Sequence, residues 1–275
     1  MPSIEKLDEV TELIKYVVYS DYLELDEKKK EVALSALIIA RIESGKTSVV
    51  ERFSKNDGIL RVGDITAYGL ETVYIEEIKS GSVKRIIIPD LINPVNRKQE
   101  TVNSLITFFN SYISWEGVGS IATYALQLKL DTPLKGSILT TIAIQDYIKM
   151  ESRLAAVGFI SRLIPITYNY TQRAVEEILL DIADGKDDWK DLLLKFPDGK
   201  VNVELPAELA RQLIPASEHI AKYSGAYGMR ALKQLMTLVR CKALSEDRMV
   251  VTQEDVDRVI YLAGRFIKIP DECVR

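Results

Sequence analysis

Lys46 is the side chain on which the chemistry of this sequence turns. It stands in Gly45-Lys46-Thr47, near the end of the run Ala33 to Val50, A-L-S-A-L-I-I-A-R-I-E-S-G-K-T-S-V-V. A glycine that lets backbone N–H groups approach, an ammonium point charge and a hydroxyl that reaches Mg²⁺ are the equipment for holding nucleotide phosphates. The pattern G-x-x-x-x-G-K-[ST] is met at every fixed position but the first, where Ala40 stands for glycine. The candidate cradle is therefore Ala40, Arg41, Ile42, Glu43, Ser44, Gly45, Lys46, Thr47 and Ser48. A carboxylate so close to phosphates must be turned away or paired, so Glu43 calls for an arginine such as Arg41 or one from another strand.

A second oxygen donor is Asp90, at the end of Arg85-Ile-Ile-Ile-Pro-Asp90. A carboxylate at the tip of a strand can hold a Mg²⁺-bound water beside the phosphates, which makes Thr47 and Asp90 the candidate metal residues. The stretch Gly136 to Ile144, G-S-I-L-T-T-I-A-I, adds two hydroxyls, Thr140 and Thr141, that face the same crevice if they lie near a strand's carboxyl end.

These side chains need elements to position them. Ala36 to Ile39 form an apolar run that reads as a buried strand, and Thr47 to Phe53 as the helix it feeds. The helix N-terminus supplies unpaired N–H groups and a partial positive charge to an anion. Ile4, Leu7, Val10, Leu13, Ile14 and Val17 recur at helical spacing over residues 3–19, with Ser3 as N-cap and Glu5 in the first turn. Gly58 to Leu70 predicts a strand ending in an exposed loop at Thr66 to Gly69, and 71–79 a helix closed by Gly81. The three isoleucines before Pro89 predict a strand covered on both faces. Residues 97–114 read as a helix, 119–129 and 136–144 as two β-runs forming a hairpin-like pair, 153–158 as helical and 163–170 as the last strand. From Thr171 helical patterns dominate, at 171–183, 187–195, 206–223, 228–244 and 253–266, broken by Gly185, Pro197-Asp-Gly199 and Gly225 and capped by Thr252 with Asp255.

Composition bounds the rest. The 275 residues, 47% apolar and 28% charged, suffice for one large or two modest cores. A net charge of −4 gives no global basic field for nucleic acid or anionic lipid. No apolar run reaches membrane-spanning length and the acidic N-terminus does not read as a signal peptide, so a cytoplasmic protein is expected. Cys241 and Cys273 lie far apart and His219 is the only histidine, which leaves neither a disulfide framework nor a zinc site; His219 reads as a helix residue.

In this order, strand, loop, helix, strand, helix, Asp-tipped strand, Thr-bearing strand, arginine, strand and helical tail, residues 30–265 resemble an AAA+ ATPase. The resemblance implies an α/β fold, a P-loop NTPase three-layer αβα core with a parallel sheet, followed by an all-helical lid. It implies domains at 1–170, with 1–30 as N-terminal helix and linker, and at 171–275. Gly45, Lys46 and Thr47 match Walker A, Asp90 the Walker B aspartate, and Thr140 or Thr141 the sensor 1 residue. Arg162, in G-F-I-S-R, looks like the arginine finger that reaches a neighbouring subunit's γ-phosphate, and Arg230, in G-M-R, like the sensor 2 arginine. Val251 to Ile260 is similar to lid ends of helicase-loader and minichromosome-maintenance proteins, and the hairpin at 119–144 to the pre-sensor 1 insertion of DNA-associated branches. The Thr66 to Gly69 loop, with Tyr68, would then line a ring pore. ATP and Mg²⁺ are the implied cofactors. The implied partners are further copies in a ring, a hexamer among the sizes, and DNA, a DNA-replication protein or another protein to be remodelled.

One departure bears on activity. Leu91 occupies the place of the glutamate that orients attacking water, which sets slow hydrolysis against a non-hydrolysing, nucleotide-gated scaffold or loader subunit. A decayed loop in an interaction protein is the third reading, prompted by Ala40.

Overall fold

In the computed structural model, residues 3–270 are described apart from 5, 27, 29, 123–126, 129, 187–188 and 223–226. Glu5, Gly225, Cys273 and the tip of the expected hairpin lie outside the described residues.

The chain opens with a two-residue strand, β1 (Ser3–Ile4), and a helix, α1 (Asp8–Tyr19). Ser3 is therefore not a helix cap: its backbone pairs in parallel with Asn169, and the helix begins four residues later than the apolar spacing predicts. Asp8 and Glu9 suit the first turn of α1, and Val10, Leu13, Ile14 and Val17 are buried along one face.

The next elements are β2 (Ala36–Ala40), α2 (Lys46–Glu51), β3 (Ile59–Arg61), α3 (Ala67–Val73), α4 (Ile75–Lys79), β4 (Arg85–Ile88), α5 (Ile92–Val95) and α6 (Gln99–Tyr112). The expected loop at Thr66 to Gly69 is instead the start of α3. The Thr66 hydroxyl caps it by accepting from Gly69 N at 3.0 Å, while Tyr68 stays exposed.

Two short strands, β5 (Ile121–Ala122) and β6 (Gln127–Leu128), pair with each other, and the Val118–Leu134 bridge extends that ribbon. The hairpin therefore lies within 118–134. The run 136–144 is not its second arm: it forms β7 (Ser137–Ala143) inside the main sheet, then α7 (Ile144–Ala156). A strand buried at every residue, its three hydroxyls bonded within the fold, gains more between two neighbours in the core than beside a solvated ribbon.

β8 (Ile164–Thr167) and β9 (Asn169–Tyr170) complete the strands. Five of them form one parallel sheet in the order β3-β4-β7-β2-β8. β2, β4 and β7 are buried at every residue. Alternate side chains feed opposite layers: Ala36, Ile38 and Ala40 join α1 and Val49, Val50 and Phe53, whereas Leu37 and Ile39 join α3 to α7. The architecture is α/β, with helices on both faces of the sheet.

The remainder is helical: α8 (Gln172–Ala183), α9 (Ala207–Gln212), α10 (Ile214–Lys222), α11 (Met229–Leu244) and α12 (Gln253–Phe266). The expected helix at 187–195 is not found over its described residues, 189–195. Residues 189–196 run as an irregular strap whose polar groups bond to the residues after α2: Leu192 N donates to Arg52 O at 2.7 Å and Leu194 N to Asn56 Oδ1 at 2.6 Å. α11 and α12 pack on α1, so the first helix shares a core with the last two.

A buried knot ties these layers at the amino ends of the strands. Arg85 Nε donates to Asp21 Oδ2 at 2.8 Å and its Nη2 to Val17 O and Leu34 O, while Ser137 Oγ donates to Asp21 Oδ1 at 2.6 Å. The pairing and hydrogen bonds offset part of the cost of burying the two groups, while burial still raises the Asp21 carboxyl above its ordinary range. Among the described residues no helix is long and apolar enough to cross a membrane.

Candidate functional site

The loop 41–45 connects β2, an interior strand between β7 and β8, to α2. It lies at the carboxyl ends of the strands, where open α/β sheets place their ligand crevice. It turns sharply, with two left-handed residues, Glu43 (φ 62°) and Gly45 (φ 73°). Gly45 meets that conformation without a Cβ penalty, while Glu43 holds it at a cost of about 1–2 kcal/mol. Arg41, Ile42 and Glu43 are exposed, so the Glu43 carboxylate stands in solvent at the loop tip.

α2 is only six residues long, shorter than the 47–53 reading, and begins at Lys46. Its first N–H groups have no acceptor within the helix. Lys46, Thr47 and Ser48 are half-buried along that turn, and Ala40 is wholly buried.

Three strands converge beside this turn. Thr47 Oγ1 donates to the Pro89 carbonyl at 3.4 Å and Thr141 Oγ1 to the same carbonyl at 2.6 Å. Thr140 Oγ1 donates to Ile88 O at 2.8 Å. Asp90 follows directly, half-buried, with Oδ1 accepting from Ile92 N at 3.2 Å. Thr47 and Thr141 thus meet on one carbonyl next to Asp90, whereas Thr140 bonds one residue earlier; Thr140 and Thr141 are both wholly buried, so their hydroxyls hold the end of β4 instead of facing an open crevice. A hydroxyl that gives its proton to Pro89 O keeps its lone pairs for a cation. Leu91 is wholly buried, so no polar group stands in the position after Asp90.

The other side of the loop is clamped. Tyr168 Oη and Tyr170 Oη both donate to Ser44 O at 3.0 Å. Burial pushes the Tyr170 phenol up to about 12 and the Tyr168 phenol higher still, so both remain protonated donors at neutral pH. The buried Ser44 Oγ finds no partner among the described residues, an orphaned polar atom inside the loop. Sequence reasoning missed both tyrosines, although their spacing of two residues puts them on one face of an extended segment.

Arg162 and Arg230 do not join this site. Arg162 lies in the turn Ile160–Arg162 before β8, and Arg230 in the first turn of α11, where its Nη1 donates to Ser161 O at 2.6 Å and Ser161 Oγ at 2.8 Å. Both line a cavity of about 330 Å³ with Lys30, Ser35, Trp115 and Lys233. That cavity lies at the amino end of β2, and five strand residues at about 3.3 Å each separate it from the loop by about 17 Å. Arg162 Nη1 donates to Gly158 O at 2.6 Å. Burial, and then the charge of Arg162, lower the pKa of Arg230, the mark of two guanidiniums held close together.

The loop residues fit a magnesium nucleotide. Mg²⁺ keeps most of its waters and needs only one or two protein oxygens beside phosphate, which Thr47 and Asp90 offer. Among the described residues no group of three or more His, Cys, Asp or Glu is arranged to hold a metal ion. Comparison of the chain with models of known protein families and with curated protein sequences finds no match.

Proposed function

We propose that the chain is an AAA+ type ATP-binding protein that couples ATP binding, and slow hydrolysis, to assembly and to remodelling of a DNA or protein partner in the cytoplasm. The observation that carries this reading is the meeting of Thr47 and Thr141 on the Pro89 carbonyl. It joins the loop, the aspartate-tipped strand and the threonine-bearing strand beside one helix N-terminus.

In this reading the N–H groups of the first turn of α2 and the Lys46 ammonium hold the β- and γ-phosphates. Thr47 Oγ1 and Asp90 orient Mg²⁺, which supplies charge neutralisation at the phosphates when bound. Thr140 and Thr141 fix the depth of the β4 end by holding Ile88 O and Pro89 O. Arg162 and Arg230 stand too far from the loop of their own copy to act there. In a homo-oligomeric ring they would face the phosphates of a neighbouring copy, where guanidiniums stabilise developing charge.

The burial of Leu91 favours a second reading, a nucleotide-gated scaffold or loader that binds ATP without turning it over. One experiment separates the two: Mg-ATP binding and steady-state turnover of wild type, Lys46→Ala and Arg162→Ala across protein concentration, with and without DNA. Turnover that rises with concentration and is lost in both variants supports the ATPase. Binding lost in Lys46→Ala with no turnover in any protein supports the scaffold, and binding untouched by Lys46→Ala refutes both.

A further inference from the structure

The strap 189–196 carries a feature that a phosphate loop alone does not require. A Cβ built on Gly45 would lie 3.4 Å from Leu7 Cδ1, 3.5 Å from Tyr170 Oη and 3.6 Å from Trp189 Cη2, so an indole edge rests against the loop glycine. Yet Trp189 is 45% exposed, and an indole left half in water has apolar surface to give to a ligand.

Its placement is fixed from α2. Arg52 Nε donates to Lys190 O at 3.0 Å, Asn56 Nδ2 to Leu192 O at 2.8 Å, and Lys55 pairs with Asp191 at 2.7 Å. Together with the Leu192 and Leu194 amide bonds, these contacts lock the chain just after Trp189 onto the residues that follow the loop helix. An aromatic ring with few rotatable bonds, half exposed on an anchored segment, binds a flat ligand at little entropic cost.

We propose that Trp189 is the base platform of this loop, and that the ligand is a purine nucleoside triphosphate read by the face of its base. The inference rests on the phosphate-loop reading above and names what that reading leaves open. Of the side chains that meet Gly45, Leu7 is apolar and the Tyr170 hydroxyl is committed to Ser44 O. Stacking without edge readout distinguishes large bases from small ones and does not separate adenine from guanine.

The test uses the full chain, whose only tryptophans are Trp115 and Trp189, so Trp115→Phe leaves Trp189 as sole reporter. Calorimetry and indole fluorescence would be read with Mg-ATP, Mg-GTP, Mg-UTP and magnesium tripolyphosphate. The expected result is quenching by ATP and GTP, with affinities within about three-fold of each other, and weaker binding of UTP. Base–aromatic stacking of about 1–3 kcal/mol corresponds to a loss of about 5- to 150-fold for both purine nucleotides in Trp189→Ala. Trp189→Leu, which keeps bulk without a π face, should lose affinity as well, Trp189→Phe should keep most of it, and tripolyphosphate should bind all three variants like wild type.

ATP affinity unchanged in Trp189→Ala, or ATP and tripolyphosphate lost together, overturns the platform and leaves a packing role. If wild type binds neither ligand, or binds both regardless of Lys46→Ala, the phosphate-loop reading itself falls and takes the platform with it.

Discussion

Glu71 shows how much a single uncompensated side chain can cost here. It lies on α3, 7% exposed, with no ion-pair partner among the described residues, and burial lifts its carboxyl to about 7. Because the folded pKa lies above the unfolded value, the folded state binds the proton more tightly, and stability falls as pH rises from about 4.5 to about 7. Glu71→Gln should therefore stabilise the protein by about 1–2 kcal/mol at pH 8 and much less at pH 5, read as the shift in urea midpoint at the two pH values. A gain of equal size at both values would mean that packing, not charge, sets the cost. At this scale, sequence spoke clearly wherever the signal was local. Gly45, Lys46 and Thr47 lie in one turn, and Asp90 follows the isoleucine run and Pro89, so their places at a helix start and a strand end could be read from spacing. Trp189 could not be found that way, since its contact with Gly45 joins distant parts of the chain. Nor did composition reveal that Arg230 stands beside Arg162, because that depends on how α11 docks.

At the scale of elements, the strap is where a local pattern lost to tertiary bonding. Residues 187–195 have helical spacing, but the Leu192 and Leu194 amides find better partners on the turn after α2 than a short exposed helix would provide. Asn56 is the hinge pin: it accepts from Leu194 N and donates to Leu192 O and to Phe53 O. Asn56→Ala should cost about 2–3 kcal/mol through the buried groups it leaves unpaired. Amide exchange at Leu194 should accelerate while exchange in β2 is unchanged; protection retained at Leu194 would show that the strap is held by apolar packing instead. The buried strands 36–40 and 85–88 were legible because continuous β-branched and apolar runs bounded by turn residues leave few alternatives. The partner of β7 was not, since hydrophobicity marks a strand as buried without saying beside which neighbour.

Taken whole, the fold joins elements far apart in the chain. α1 lies against α11 and α12, with Arg258 Nε donating to Glu12 at 3.0 Å and Arg265 Nη1 to Glu9. A chain truncated after residue 228 should expose the face of Val10, Leu13, Ile14 and Val17, bind a hydrophobic dye and aggregate. A monomeric, dye-free product with native amide dispersion would disprove the shared core.

That joining also sets a timetable. The Glu12–Arg258 contact joins residues 246 positions apart. At about 5–20 residues per second, the ribosome delivers the second partner about 12–50 s after the first. Through that interval the newborn first helix waits with the part of its oily side that α11 and α12 cover still bare, a window in which chaperone cover would matter most.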